Sequence, residues 1–143
     1  MQTTTDFEWV PLVPELACVD LKTSLHFYLD IVGFSIAYDR PEVSFAFLTL
    51  GRAQLMLEQL NLDRPQDHWI TATLSQPFGR GINFQIEVED VMGLNERLAQ
   101  ANIALFEAVS DVCYRVGGGE RRQRQLLVQD PDGYLLRFCQ ALN

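Results

Sequence analysis

The chain has 143 residues, and its apolar positions change from alternating to helical spacing and back. The mostly apolar run at 12–19 predicts a strand. Apolar residues then recur at helical spacing, at Leu21, Leu25, Tyr28 and Val32. Asp20 can cap this helix, because its side chain can accept from the free amides of the first turn. Gly33 predicts the end of the helix. Strands are predicted next at about 34–38, 43–50 and 53–60.

The same order of elements returns in the second half. Residues 82–88 alternate apolar and polar side chains, which predicts a half-buried strand. Asp90, 70 positions after Asp20, can cap a second amphipathic helix, whose apolar stripe is Val91, Leu94, Leu98 and Ala101. Strands are predicted at about 103–106, 111–116, 124–129 and 134–140. The repeat spans half the chain, which indicates a duplicated strand-helix-three-strand unit.

We therefore predict one α+β domain over residues 1–143. Its modules lie at about 10–60 and 81–141, joined by a polar linker at 61–80. One helix would cover the outer face of each sheet, and the helix-free faces could curve around a cavity. Strand alternation places these residues on the helix-free faces: Glu15, Ala17, Met56, Glu58, Asn83, Gln85, Glu87, Leu135, Arg137 and Cys139.

The net charge is −8 and the sequence pI is about 4.6. Affinity for nucleic acid depends on many Lys and Arg contacts to phosphates, so we expect no nucleic-acid partner. The one basic cluster (Arg115, Arg121, Arg122 and Arg124) flanks Gly117–Gly119 and is predicted to be a solvated flexible loop. The three cysteines are widely spaced, which argues against a disulfide framework or a metal knuckle. Because no signal peptide or membrane-spanning segment is found, we expect a cytoplasmic protein without a membrane partner.

Three stretches carry a resemblance to a known family. They are VDLKTSLHFYLDIVGF (19–34), VEDVMGLNERLAQANI (88–103) and QDPDGYLLRFCQ (129–140). Together they resemble the vicinal oxygen chelate superfamily, which includes glyoxalase I, extradiol dioxygenases and bleomycin resistance proteins. The stretches VPELACVDL and LTLGRAQLMLE are most similar to the bleomycin resistance branch. The resemblance implies two βαβββ modules, a homodimer, and ligand sites in or between cupped sheets.

Metal-dependent members of this superfamily hold their ion at four positions. The resemblance places these positions at Val13, Asn83, Glu58 and Arg137, and only Glu58 keeps a ligand of the family type. Arginine in place of a carboxylate repels a divalent cation. If the first strand is shifted, Glu15 replaces Val13. We therefore expect no metal or other cofactor.

Several side chains are candidates for ligand binding, and each has a structural alternative. Glu58 and Arg137, expected at equivalent positions, would recognise a polar ligand together or form a structural salt bridge. Glu15, Asn83, Gln85 and Glu87 would bind a cationic ligand or line a solvated sheet face. Phe45 and Phe47 are expected in the core, whereas Trp69 is a candidate lid or dimer contact. His26 and His68 are expected at the surface, and Arg137 beside Cys139 would lower the pKa of the thiol.

The sequence predicts a metal-free protein that sequesters a small molecule, such as an antibiotic or another cationic or aromatic compound. No catalytic residue is assigned. The tryptophan that bleomycin binders use for stacking falls on Arg121, which argues against bleomycin itself. The alternative is a metal-dependent lyase or dioxygenase with displaced ligands, such as Glu15, Glu58 and His68. A scaffold with no ligand of its own is a third hypothesis.

Overall fold

The computed structural model describes residues 7–64, 66 and 68–143. The chain divides into two compact units, Met1–Gln76 and Pro77–Asn143. The boundary lies within the segment predicted as a linker. In the described part of the chain, no helix is long and apolar enough to cross a membrane.

Unit 1 contains four strands and one long helical segment. In chain order these are β1 (Glu15–Cys18), α1 (Leu21–Leu25), a π-helix (His26–Val32), β2 (Ser35–Arg40), a 3₁₀ turn (Pro41–Val43), β3 (Phe45–Leu50) and β4 (Ala53–Gln59). The sheet order is β1-β4-β3-β2, with β1 parallel to β4 and the other pairs antiparallel. The sheet is therefore mixed, as a strand-helix-three-strand unit requires.

The helical segment of unit 1 ends where the sequence predicts. Gly33 adopts φ +106°, a backbone conformation that favours glycine, and its N–H donates to the carbonyl of Tyr28. The helix start differs from the prediction in one detail. The Asp20 carboxylate accepts from the hydroxyl of Thr23 rather than from a backbone amide. Asp20 therefore organises the first turn through a side chain and leaves the amides to other partners.

Unit 2 repeats the plan with β5 (Asn83–Glu87), α2 (Val91–Gln100), β6 (Glu107–Val116), β7 (Gly119–Gln129) and β8 (Leu135–Ala141). Its sheet order, β5-β8-β7-β6, has the same mixture of parallel and antiparallel pairs. Asp90 caps α2 as predicted, because its carboxylate accepts from the N–H of Gly93 at 3.0 Å. The predicted α+β fold of two βαβββ modules is confirmed.

Two predictions for unit 2 are wrong. Residues 103–106 do not form a strand; the chain turns at Asn102, with φ +59°, and β6 begins at Glu107. The arginine-rich segment is not a flexible loop but a β-hairpin, whose turn is at Gly117 and Gly118. Arg124 lies opposite Asp111 and donates to its carboxylate at 2.7 and 3.1 Å. Cross-strand pairing therefore orders this basic cluster.

Each unit buries one face of its sheet under its helix. In unit 1 the buried residues behind β1 and β4 are Leu16, Cys18, Leu55 and Leu57. In unit 2 they include Ile86, Val91, Leu94, Leu98, Leu126, Val128, Leu136 and Phe138. Ala101 does not extend the α2 stripe as predicted, because the helix ends at Gln100 and Ala101 is exposed.

Candidate functional site

Strand alternation places four predicted residues on the helix-free face of unit 1. Glu15 is exposed, whereas Ala17, Met56 and Glu58 are half-buried. In the parallel β1–β4 pair, Glu15 is opposite Met56 and Ala17 is opposite Glu58. The two carboxylates therefore lie diagonally on neighbouring strands.

His68 contacts Glu58 of this acidic pair, two residues that the sequence grouped only under the metal-dependent alternative. Its Nδ1 lies 3.2 Å from Glu58 Oε1, and only 10% of its side chain is exposed. The backbone N–H of Asn61 donates to His68 Nε2 at 2.8 Å. Nε2 must therefore hold a lone pair, which leaves the hydrogen on Nδ1 to be donated to Glu58. The expectation of a surface histidine is wrong for His68, whereas His26 pairs with Asp30 at the surface.

The electrostatic environment of Glu15 disfavours its charged form. Burial of the side chain, followed by the negative charge of Glu58, raises the pKa of Glu15, while Arg40 and His68 act in the opposite direction. The Arg40 guanidinium stacks on the Phe45 ring, 3.9 Å from its centre. The positive charge of Arg40 thus lowers the pKa of Glu15 without reversing its upward shift.

A small cavity lies beside the acidic pair. Its volume is about 60 Å³, and it is lined by Glu15, Ala17, Glu58, His68, Trp69 and Ile70. A water molecule occupies about 30 Å³ in the liquid, so the cavity could admit a head group such as an ammonium, but not a whole drug-sized ligand. Trp69 is 97% exposed and contributes only to the rim. The structure thus brings Glu15, Glu58 and Trp69 of the predicted set together.

The aromatic part of the same face is covered by the start of the chain. Phe47 is fully buried, and the rings of Phe7 and Trp9 lie 5.3 and 4.8 Å from its centre. Tyr38 stacks on Phe47 at 5.0 Å. Gln54 holds the segment, because it donates to the carbonyl of Glu8 and accepts from the N–H of Val10. Phe45 and Phe47 are buried, as predicted, but on the helix-free side of the sheet.

A larger groove of about 630 Å³ lies beside α1 rather than next to the acidic pair. It is lined by both apolar and charged residues of the helical segment and of the chain around β2 and β3, including Leu21, Leu25, Leu29, Lys22, Asp30 and Asp39. Of the residues weighed as candidates, His26 and Phe45 border it. The groove is therefore separate from the predicted acidic site.

On the helix-free face of unit 2, a chain of hydrogen bonds connects three glutamines. Arg121 Nε donates to Gln123 Oε1 at 2.8 Å. Gln123 Nε2 donates to the amide oxygens of Gln85 and Gln125, at 3.3 and 3.0 Å. The Tyr114 hydroxyl donates to the same Gln125 oxygen at 3.3 Å. Of these five residues, only Gln85 was a predicted site residue, because the cross-strand contacts of β7 are not visible in the sequence.

The other predicted residues of unit 2 occupy the same face. Asn83 and Glu87 are exposed, and Glu87 lies 3.4 Å from Arg121. Cys139 belongs to this face but is fully buried rather than open, since Gln125 and Glu87 flank it on the neighbouring strands. Burial raises the pKa of the Cys139 thiol and outweighs the opposing charges of Arg121 and Arg137. Arg137 acts on this pKa in the expected downward direction, but the net shift is upward.

Arg137 is half-buried at the centre of the sheet. It lies opposite Gln85 on β5 and Leu127 on β7. Its Nε atom is buried and has no hydrogen-bond partner among the residues that the structure describes. A buried donor without an acceptor destabilises a fold, so this arginine requires an explanation.

Glu58 and Arg137 were expected at equivalent positions of the two modules. The strand register shows that this expectation is wrong. Gln59 accepts from the first N–H of α1, at Leu21, and Gln140 accepts from the first N–H of α2, at Val91. Gln59 and Gln140 are therefore equivalent, which makes Met56 the counterpart of Arg137 and Cys139 the counterpart of Glu58. The registers of the parallel strand pairs give the same correspondence. Glu15 and Gln85 each stand five residues before the aspartate at the start of the helix, and they lie opposite Met56 and Arg137, respectively.

The family's four metal positions in this chain are accordingly Val13, Met56, Asn83 and Arg137. In that order they supply an aliphatic group, a thioether, an amide and a guanidinium. This set does not fit a divalent ion that prefers imidazole and carboxylate ligands. Across residues 7–64, 66 and 68–143, no group of three or more His, Cys, Asp or Glu side chains could hold a metal ion.

Comparison with known families agrees with this fold. The profile of the Glyoxalase/Bleomycin resistance protein/Dioxygenase superfamily matches residues 11–138. The chain therefore belongs to that superfamily. Among curated proteins, no match is found.

Solved structures with a similar chain include members of the same superfamily. One from Vibrio splendidus 12B01 is 35% identical over 90% of this chain and 95% of its own, with a TM-score of 0.41. TioX from Micromonospora sp. ML1 is 21% identical, with 92% and 98% of the two chains covered and a TM-score of 0.65. Lactoylglutathione lyase from Agrobacterium tumefaciens is 19% identical, with 92% of each chain covered and a TM-score of 0.59. The last two similarities show a common fold.

Proposed function

We propose that this protein binds and sequesters a small cationic molecule, without a metal ion. The observation that carries the proposal is the pair of carboxylates Glu15 and Glu58, which lie on neighbouring strands beside one small cavity. Because burial and mutual repulsion raise the pKa of Glu15, a cation between the two groups would relieve an existing electrostatic cost. The ligand's positive charge is thus the feature that the site selects.

His68 supports this arrangement. Its Nδ1 lies 3.2 Å from Glu58 Oε1, and this contact helps to fix the position of the carboxylate. The cavity accommodates an ammonium-sized head group, and Trp69 at its rim offers an aromatic face for a flat or cationic body. We propose an antibiotic or another cationic, aromatic compound as the ligand, and a cytoplasmic homodimer as the active form.

A metal-dependent lyase or dioxygenase is the second candidate, because Glu15, Glu58 and His68 line one cavity. Two features weigh against it. The lone pair of His68 Nε2 is used by the Asn61 N–H, and its Nδ1 carries a hydrogen, so neither ring nitrogen is free to coordinate. The three side chains also do not form a group that could hold a metal ion.

A thermal-shift experiment separates these candidates. Chelator-treated protein is heated with cationic aromatic dyes, bleomycin-type glycopeptides, or Zn²⁺, Ni²⁺, Mn²⁺ and Fe²⁺. We expect a cationic compound to raise the melting temperature. At a free ligand concentration of 100 times its dissociation constant, binding stabilises the native state by about 2.7 kcal/mol. Glu58→Gln should weaken that shift, whereas Glu89→Gln, at an exposed position in unit 2, should preserve it.

Two results would contradict the proposal. One is stabilisation by a metal ion, together with stoichiometric metal in protein purified without chelator. The other is a dye-induced shift of the same size in Glu58→Gln and in the unaltered protein. The first result would favour the lyase or dioxygenase, and the second would place cation binding elsewhere on the surface.

A further inference from the structure

The hydrogen-bond chain of unit 2 leaves several donors without an acceptor among the described residues. Arg121 Nε cannot accept, so it fixes the Gln123 amide with its oxygen toward the arginine. That orientation directs the Gln123 nitrogen to the oxygens of Gln85 and Gln125. Each of the three amide oxygens thereby accepts at least one hydrogen bond, whereas the Nε2 groups of Gln85 and Gln125 donate to no described residue. Arg137 Nε is a further donor without an acceptor in the described chain.

The side chains on this face also carry a positive charge that no described residue on the face offsets. Glu87 lies 3.4 Å from Arg121, so these two charges offset each other. Arg137 takes no part in this pair. A ligand that complements this face must therefore carry both hydrogen-bond acceptors and a negative charge.

The surroundings of Arg137 also restrict the shape of the ligand. Its cross-strand neighbour on one side is Gln85, and on the other side it is the half-buried Leu127. Leu135, two residues earlier on β8 and also half-buried, lies on the same face. An anionic group at Arg137 would therefore have apolar surface beside it. This combination fits an organic acid better than a free inorganic anion.

We propose that the helix-free face of unit 2 binds the carboxylate of a small organic acid. The planar Arg137 guanidinium and the Gln85 amide donate to the two carboxylate oxygens, and Leu127 and Leu135 contact the apolar body. This inference rests on the proposed function for the idea that the helix-free faces hold ligands. The carboxylate site lies within unit 2 alone, and it is argued separately from the cation site of unit 1.

The test is an NMR titration of the whole protein with benzoate, observed through the glutamine side-chain amide signals. Benzyl alcohol and benzylamine serve as neutral and cationic probes with the same ring. We expect the Gln85 and Gln125 amide signals to shift, and benzoate to bind at least tenfold more tightly than either other probe. Arg137→Met should weaken benzoate binding at least tenfold. Arg122→Met, which removes the same charge from the opposite face of β7, should change it less than twofold.

Several outcomes would overturn the inference. They are equal binding of benzoate and benzyl alcohol, unchanged benzoate binding in Arg137→Met, and inorganic phosphate binding more tightly than benzoate. Arg137→Lys provides a second variant that keeps the charge but loses the planar pair of donors, and it should bind benzoate more weakly than the unaltered protein. The experiment is independent of the cation site, because Glu58→Gln should weaken dye binding and leave the benzoate titration unchanged.

Discussion

Replacing Arg137 with methionine should stabilise the protein. Methionine has a similar length and flexibility, but it has no buried N–H that lacks an acceptor. A donor left unsatisfied costs about 1–3 kcal/mol, and Arg137 Nε is such a donor in the described structure. The outer part of the guanidinium remains partly hydrated, since the side chain is only half-buried. We therefore expect a gain near the lower end of that range, about 1–2 kcal/mol.

Urea unfolding at 25 °C, followed by circular dichroism and by tryptophan fluorescence, measures this gain. Two probes are needed because a chain with two compact units need not unfold in one step. For a chain of this length, the gain corresponds to a rise in melting temperature of about 3–7 °C. Arg122→Met is the control, and as an exposed substitution it should change stability by less than about 0.5 kcal/mol.

A loss of stability in Arg137→Met would refute this reasoning. Breaking a buried ion pair costs about 3–5 kcal/mol, so a loss of that size would mean that Arg137 has a structural partner. The salt bridge with Glu58, which the sequence suggested, would then become the first hypothesis. A double-mutant cycle with Glu58→Gln would measure it, because an interacting pair gives a coupling energy and independent residues do not.

Three further predictions concern stability. Glu15→Gln should stabilise the fold at pH 7 by less than about 1 kcal/mol, because the raised pKa of Glu15 makes its ionised form unfavourable in the native state. The gain should fade as the pH drops toward 4.5, where the folded and unfolded states both bind the proton. Asp90→Ala should cost about 1 kcal/mol in urea unfolding and Asp20→Ala less, because only Asp90 accepts from a backbone amide of its helix. Gly133→Ala should destabilise more than Gly117→Ala; both have positive φ, but a Cβ at Gly133 would collide with Pro77 whereas Gly117 faces open space.

Each of these predictions has an outcome that contradicts it. A Glu15→Gln gain that stays constant from pH 7 to pH 4 would show that desolvation of the carboxylate is not its cause. Equal losses for Asp90→Ala and Asp20→Ala would mean that the Thr23 hydroxyl bond is as valuable as a backbone cap. If Gly117→Ala costs as much as Gly133→Ala, backbone conformation rather than the contact with Pro77 sets the penalty.

The sequence by itself determined the fold. The apolar spacing of Leu94 and Leu98, the Asp90 cap and the glycine at position 33 are local features, and they predict elements because helix and strand periods act over a few residues. The repeat of these features half a chain apart indicated two βαβββ modules. Alternation also assigned Glu15, Glu58, Gln85 and Arg137 to the helix-free faces correctly.

The tertiary structure alone decided which of these residues act together. Met56, not Glu58, is the counterpart of Arg137, because the two hairpins differ in length. The hydrogen bonds of Gln59 and Gln140 and the registers of the two parallel strand pairs reveal this correspondence. The approach of His68 to Glu58, and the long-range contact of Gln123 with Gln85, likewise depend on chain segments meeting in space. A single sequence carries no signal for such pairs, since side-chain period fixes the face of a strand but not its neighbour.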